Sequence, residues 1–404
     1  MHGPVITVDV SKGINHYQGF ENYEKAYTKS KKIKNTKSDF EEFMEYVEKL
    51  KVKTNVEDIP IVFEATGVYH RCFQAFLDDS KIPYIIISPL ISARFRKLEL
   101  HSNKTDPLDC KNIAKVFYLQ ENLYRFNKMD EYYINLQKLN RYYEDQLNHL
   151  RKQKVGFKSY LDVVFPYFDK CFDKGKIYND LPLEILMKYP HPELVLQASE
   201  DKMVEYLLKK CNHQIGYVRN VVKKVRKLAE DVYSGCDKNG IEVQLLKQTI
   251  INLRYQIKIC DEAIETIIQE ANKSPNFEAV KSIVGIGDNL AARIIAELGD
   301  VTRFKKKNQL ISYAGLDPMI RQSGNINGEH LSISKKGNKY LRCLLYQAIS
   351  ANYRLKKNDR LYEFNQKKRQ QTVPLKPKAA NTATAHKLLV IIYGMCKTGS
   401  LYES

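Results

Sequence analysis

Four carboxylates in the chain are spaced as a divalent-metal site would need them. Asp9 lies near the end of the β-branched run Pro4-Val5-Ile6-Thr7-Val8-Asp9-Val10, and Glu64 closes Ile59-Pro60-Ile61-Val62-Phe63-Glu64. Both runs suit short buried strands, so both carboxylates fall where strand ends of an open sheet converge on one rim. Asp106 and Asp109 are three residues apart, which sets them on one face of the first turn of an expected helix, with Asp106 as its N-cap and Pro107 at its first position. Carboxylates so gathered repel one another unless a cation sits among them. Hard oxygen donors select magnesium, with manganese as the alternative, and two such ions would serve the attacking and the leaving oxygen of a phosphodiester. For Asp106 and Asp109 the plainer account is a cap and a solvated charge. Glu64, ending an apolar strand, is harder to explain that way.

A second set lies near the other end. Ser323 follows Arg321-Gln322 and precedes Gly324. A serine hydroxyl attacks phosphorus once its proton is removed, and the resulting phosphoserine keeps the bond energy needed to rejoin a strand without ATP. A Ser-Gly pair in a loop is also the ordinary signature of a turn. Ser332 and Ser334 are rival nucleophiles, although Ser334 is better placed to cap the helix behind it. Lys335, Lys336, Lys339 and Arg342 gather where that helix starts. The helix dipole does not favour cations there, so a phosphate partner accounts for them better. Upstream, Gly285-Ile286-Gly287 between two helical stretches has the form of a helix-hairpin-helix, which offers backbone N–H groups to a DNA phosphate without reading sequence. A glycine turn between packed helices is the alternative.

The elements that must position these groups divide the chain in three. Residues 1–125 alternate strand-like and helix-like runs, including the capping box Ser38-Asp39-Phe40-Glu41, a helix through Leu50, a helix from about Val68 to Leu77 and the strand Ile82-Pro83-Tyr84-Ile85-Ile86-Ile87. That is an α/β layer. In residues 126–275 strand signals vanish. Val243, Leu246, Ile250, Leu253, Ile257, Cys260, Ile264 and Ile267 repeat at alternating three and four, and Tyr132, Leu136, Leu139, Tyr143 and Leu150 do the same with Gln146 as a polar member. Two long helices of coiled-coil pattern are expected there, flanking a helical insert. An antiparallel hairpin and a dimer both satisfy the pattern, and the length of the seam favours the dimer. Residues 276–404 form a third, mainly helical unit, with Lys367-Lys368-Arg369 to Lys376-Pro377-Lys378 expected as a mobile basic loop.

Composition narrows the partners. The 65 Lys and Arg against 47 Asp and Glu leave a formal charge of +18, which favours a polyanion over a neutral metabolite. The 8 cysteines contain no C-x-x-C pair, so neither a zinc knuckle nor a disulfide framework is indicated, and reduced thiols in a cytoplasmic setting are expected. No apolar run approaches the roughly 20 residues needed to span a bilayer, and no secretory leader is recognisable at the start. Membrane partners are therefore not expected.

Taken in order, these segments resemble the insertion-sequence family one-ten transposases. Val8-Asp9-Val10-Ser11-Lys12, Phe63-Glu64-Ala65-Thr66-Gly67-Val68-Tyr69 and Lys104-Thr105-Asp106-Pro107-Leu108-Asp109 are similar to that family's D, E and D-x-x-D blocks. Gly285-Ile286-Gly287, Tyr313-Ala314-Gly315-Leu316 with Pro318, Gln322-Ser323-Gly324 and Ile333-Ser334-Lys335-Lys336-Gly337-Asn338 resemble its serine-bearing domain. Cys110 departs from the family's Ala, a small-for-small exchange. The resemblance implies an RNase H-like (RuvC-like) first domain whose Asp9, Glu64, Asp106 and Asp109 hold magnesium, and a Ser323 that links covalently to a DNA 5′ end. It also implies a helical connector that builds dimers and tetramers, a site composed from different protomers, and a structured guide RNA that pairs with donor and target double-stranded DNA. The protein would then supply charge, stacking aromatics and shape recognition. The expected function is excision and insertion of a mobile element, or its close variant, inversion. A RuvC-like nuclease that cuts branched DNA with water is the rival, and a catalytically inert nucleic-acid-binding protein the third reading.

Overall fold

The computed structural model describes residues 3–23, 25–64, 68–87, 106–119, 128–318, 322–323, 326–327, 332–355 and 359–403; of residues 106–108, 128–130, 322–323 and 326–327 it describes the backbone. The chain falls into two compact units, Met1–Asp130 and Glu131–Ser404.

The first unit is built on a five-stranded sheet of β1 (Val5–Asp9), β2 (Ile14–Phe20), β3 (Lys31–Lys34), β4 (Ile61–Glu64) and β5 (Tyr84–Ile87). Their order across the sheet is β3-β2-β1-β4-β5. β1 pairs antiparallel with β2 and parallel with β4, and β5 extends the parallel half. The first helices are α1 (Lys37–Thr54), α2 (Arg71–Asp79) and α3 (Asp106–Leu119). Side chains alternate between the sheet's two faces. Ile6, Val8, Ile61 and Phe63 pack with Phe43, Leu50, Phe73 and Leu77 of α1 and α2. Val5, Val62, Ile85 and Ile87 pack with Ile113, Val116 and Phe117 of α3.

Local differences from the expected elements have local causes. Strands β2 and β3 stand beside the foreseen ones. The α1 cap is Thr36, whose hydroxyl accepts from Asp39 N, while Asp39 also accepts from Lys34 N; the helix therefore begins two residues before the expected box. Asn55 in the left-handed region ends it after Thr54, four residues beyond Leu50.

The second unit is helical: α4 (Lys128–Val164), α5 (Asp180–Lys188), α6 (Pro192–Gln197), α7 (Glu200–Lys210), α8 (Ile215–Asp231), α9 (Ile241–Ala271), α10 (Phe277–Lys281), α11 (Asp288–Leu298), α12 (Lys307–Ala314), α13 (Lys339–Leu355), α14 (Arg360–Gln370) and α15 (Pro377–Thr398), with the two-residue strands β6 (Gln322–Ser323) and β7 (Ile326–Asn327) between α12 and α13. The long helices α4 and α9 carry the two heptad patterns, and their seam closes inside one chain: Val243, Leu246, Ile250, Leu253 and Cys260 are buried with Leu136, Tyr143 and Leu150. Tyr132 donates to Glu270 O and Gln256 donates to the Gln146 side chain, so the helices run antiparallel. Of the two arrangements that the pattern allowed, the hairpin is present; a dimer through this seam would have to exchange a helix. The same core continues into α11, α13 and α15.

The basic stretch expected as a mobile loop is largely ordered. Asp359 caps α14, Lys367 to Arg369 form its last turn, and Pro377 opens α15. Arg369 binds Asn365 and Asn381 and lies 4.0 Å from the Tyr353 ring centroid. Among the described residues no helix is long and apolar enough to cross a membrane.

Candidate active site

The parallel register of β1 and β4 sets Val8 beside Phe63, so Asp9 and Glu64 come next on neighbouring strands and end them at the same rim. Asp9 alternates with Thr7 and Val5, and Glu64 with Val62, which places both on the face that α3 covers. At the far end of α3 the Tyr118 hydroxyl donates to Gly3 O, so the helix runs antiparallel to β1 and its N-terminus overlies the rim. Asp106 and Asp109 begin that helix. The sheet register and the helix direction thus bring three sequence blocks to one end of one face. Asp9, Glu64 and Asp109 are partly exposed; the Asp106 side chain lies outside the described residues. Among the described residues no three His, Cys, Asp or Glu side chains are grouped as metal ligands would be.

Two contacts fasten α3 to the sheet. The Thr7 hydroxyl donates to Cys110 O at 2.9 Å, and the Cys110 thiol donates to His16 O at 3.3 Å. Burial pushes the Cys110 thiol up to about 12, the neighbouring Asp9 carboxylate adding to the rise, so it stays protonated and able to donate. His16, buried and paired with Asp9 in the β1–β2 register, shares its face. Sequence reasoning missed Thr7 and His16, although a polar residue inside an apolar strand was a legible signal for Thr7.

In the second unit the motif blocks are knit into one frame. Asp317 accepts from both Ser334 N, at 2.8 Å, and the Ser334 hydroxyl, at 2.7 Å. Lys335 N donates to Gly315 O, and Asn338 N donates to Tyr313 O. Gly315 (φ +65°) and Gly337 meet so closely that a Cβ on Gly337 would stand 2.1 Å from Tyr313 O. Lys335, not a glycine, is held at φ +56°. Pro318 bridges Ile333, and beyond that base β6 and β7 pair antiparallel with Ser323 opposite Ile326. Ser323 therefore lies on a two-residue strand between two anchored points of the chain, Pro318 and Ile333. Its side chain lies outside the described residues, as does all of Arg321.

Other expected site residues divide by role. Ser334 does not cap α13; Asn338 does, accepting from Tyr340 N and Leu341 N, because the Ser334 hydroxyl is turned to Asp317. Arg342 donates to Ala314 O and Lys335 O, which makes it a brace of the frame. Lys335, Lys336 and Lys339 are exposed and form no ion pair with a described carboxylate. Gly285, at φ +95°, lies against α13, where a Cβ would meet Asn352 N at 2.6 Å; Gly287, at the start of α11, faces open space. Of the two glycines, the first is needed for packing and the second is open to a ligand.

A buried polar hub was not foreseen. Glu297, 0% exposed, accepts from Asn140 at 2.9 Å, Asn338 at 2.7 Å and Gln137 at 3.3 Å. Asn140 also accepts from Arg293, which reaches Glu144. Long helix α4, α11 and the Ser334–Asn338 loop are thereby tied together. Arg293 and Glu297, four apart in the otherwise apolar Ala291–Leu298 stretch, were the available signal.

A transposase family model for the DEDD type of IS110 matches residues 6–166, and the model of the transposase IS116/IS110/IS902 family matches residues 277–364. The insertion element IS110 uncharacterized 43.6 kDa protein of Streptomyces coelicolor is 24% identical over 231 residues, covering 54% of this chain and 52% of its own length. The insertion element IS116 uncharacterized 44.8 kDa protein of Streptomyces clavuligerus is 22% identical over 249 residues, 61% of this chain and 60% of its own. The transposase for insertion sequence element IS1111A of Coxiella burnetii is 37% identical over 117 residues, 28% and 32% of the two lengths. The chain thus spans between half and three fifths of the first two relatives. With carboxylate blocks and serine-frame blocks each inside a matching stretch, and in the same chain order, the protein belongs to the IS116/IS110/IS902 family of transposases.

Proposed function

We propose that the protein cleaves and rejoins DNA to excise and insert a mobile element, with Ser323 as nucleophile and Asp9, Glu64, Asp106 and Asp109 as a magnesium-binding set. The observation that carries this reading is the frame at residues 313–318 and 333–338, where a strained Lys335 and two closely packed glycines anchor both ends of the segment that bears a serine. The Oγ–P bond forms as the P–O3′ bond breaks; the hydroxyl proton is lost and the leaving 3′ oxygen gains one. The phosphoserine retains the ester, so attack by a 3′ hydroxyl rejoins the strand.

The acidic residues fit a divalent ion by donor chemistry, being oxygen ligands on one rim and one face. Such an ion supplies Lewis-acid stabilisation of the phosphate oxygens. The chain's own part is positional: β1 and β4 fix Asp9 and Glu64, and the Thr7 and Cys110 contacts fix the turn that carries Asp106 and Asp109. The mixed sheet with an acidic rim supports an RNase H-like reading of residues 1–125. Residues 126–275 serve in this reading as connector in a dimer or tetramer, and residues 276–404 as the serine-bearing segment with Gly287 of its helix-hairpin-helix turned to DNA. The net charge of +18 supports double-stranded DNA and a structured guide RNA as partners.

The test is a denaturing gel of protein incubated with donor DNA, its guide RNA and magnesium. Ser323→Ala is expected to abolish the covalent protein–DNA band while DNA binding stays within about twofold. A persisting band rules out Ser323 as nucleophile. Strand cleavage that survives Ser323→Ala but is lost in Asp9→Ala transfers the reading to hydrolysis by a RuvC-like nuclease.

A further inference from the structure

The loop that frames the serine ribbon leads into an aromatic side chain with two cations over it. The guanidinium carbon of Arg141, from α4, lies 5.4 Å from the ring centroid of Tyr340, and the Lys339 ammonium lies 5.0 Å from the same centroid. Arg141 is 48% exposed, and its acidic neighbour is Glu297, 3.6 Å from Nε and wholly buried. That carboxylate already accepts from Asn140, Asn338 and Gln137, so it orients Arg141 without covering it. Lys335 and Lys336 are exposed a few residues before, again without an ion pair to a described carboxylate.

Two cations over one ring repel one another, and Glu297, the carboxylate paired with Arg141, is wholly buried and shared among three amides, so it does not offset this at the surface. A polyanion would. A duplex alone would use the cations and leave the ring idle, because a stacked and paired base cannot lie on an aromatic face. The combination of a ring, a planar guanidinium and flanking lysines is what an unpaired nucleotide engages: the base stacks and the adjacent phosphates meet the ammonium groups.

We propose that Tyr340 and Arg141 form a stacking platform for an unpaired nucleotide, with Lys335, Lys336 and Lys339 holding its flanking phosphates, so that a melted strand is gripped beside the serine ribbon. The proposal rests on the reading of the protein as one that acts on nucleic acid, but not on Ser323 or the carboxylates being catalytic. The two platform residues come from distant parts of the sequence, Arg141 from α4 and Tyr340 from α13.

The experiment is fluorescence anisotropy with the full chain in EDTA, where no metal-dependent cleavage intervenes. The probes are a 20-nucleotide unstructured DNA, an RNA of the same sequence and a blunt DNA duplex of that length. Tyr340→Ala is expected to weaken single-strand binding about tenfold while leaving duplex binding within about twofold, and Tyr340→Phe to match the native protein. Equal loss on single strand and duplex, or no loss on either single strand, overturns the platform. The DNA and RNA arms show which strand it takes. If Tyr340→Ala lowers the melting temperature, Arg141→Gln, at a half-exposed position, decides: a selective single-strand loss of severalfold supports the proposal and an unselective one refutes it. A missing covalent adduct in the denaturing gel, with the Tyr340 selectivity intact, would remove the serine mechanism and leave the platform standing.

Discussion

At the scale of single residues, the acidic rim depends on neighbours that are not acidic. Thr7 is fully buried on the same face as Asp9, and its hydroxyl reaches the first turn of α3 at Cys110 O. A neutral hydrogen bond of this kind contributes on the order of 1 kcal/mol net. Thr7→Val keeps the shape and removes the donor, so urea denaturation should show a loss of about 1 kcal/mol. The larger effect is expected on metal-dependent cleavage, because the contact holds the turn that carries Asp106 and Asp109. A variant that loses the stability but cleaves at the native rate at every magnesium concentration would show that the contact serves the fold alone. The hub around Glu297 follows the same logic in the second unit. Its carboxylate is wholly buried, and its donors come from α4 and from the cap of α13, so that removing any one donor leaves acceptor capacity unmet in a place water does not reach.

At the scale of elements, the two glycines of the Gly285-Ile286-Gly287 turn separate packing from binding. Gly285→Ala forces a Cβ to 2.6 Å from Asn352 N at a φ of +95°, and should cost about 2–4 kcal/mol in chemical denaturation. Gly287→Ala meets no atom within 4 Å and changes only the cap of α11, for which about 1 kcal/mol or less is expected, yet it should weaken duplex binding if that N-terminus meets a phosphate. Native duplex affinity in Gly287→Ala would reduce the turn to packing. Such a division was invisible in the sequence, since both glycines read alike until α13 was seen to lie on one of them. What was legible were elements whose pattern is local: the β-branched runs of β1 and β4 and the heptads of α4 and α9. Strands β2 and β3 went unread because Asn15, His16 and Gln18 make one polar within, and Lys31, Lys32 and Lys34 make the other a charged edge. The convergence of Asp9 with Glu64 was legible from strand ends. The serine frame was not, because its bonds join residues 313–317 to 333–338 through backbone groups that carry no sequence signal.

At the scale of the whole molecule, the long helices α4 and α9 share a core with α11, α13 and α15, and this has a thermodynamic consequence. Buried residues run without a break from Tyr133 through Leu253 of α9 to Leu344 of α13 and Met395 of α15, whereas Phe63 belongs to the separate core of the first unit. Elements that share one core melt together, since neither can expose its face without exposing the other's. Calorimetry of the full chain should therefore resolve at most two transitions. Leu253→Ala and Leu344→Ala, each at a side chain with 0% exposure, should lower the same transition by roughly 5–15 °C, as expected for a loss of about 2–5 kcal/mol in a unit of this size. Phe63→Ala should move the other. Three transitions, or a Leu344→Ala shift that leaves the Leu253 transition in place, would mean that the serine-bearing segment is an independent unit. The expected cooperativity has a contact to run through: Arg141 of α4 lies 3.6 Å from Glu297, and the same carboxylate accepts from Asn338 at the end of the loop that follows the serine segment.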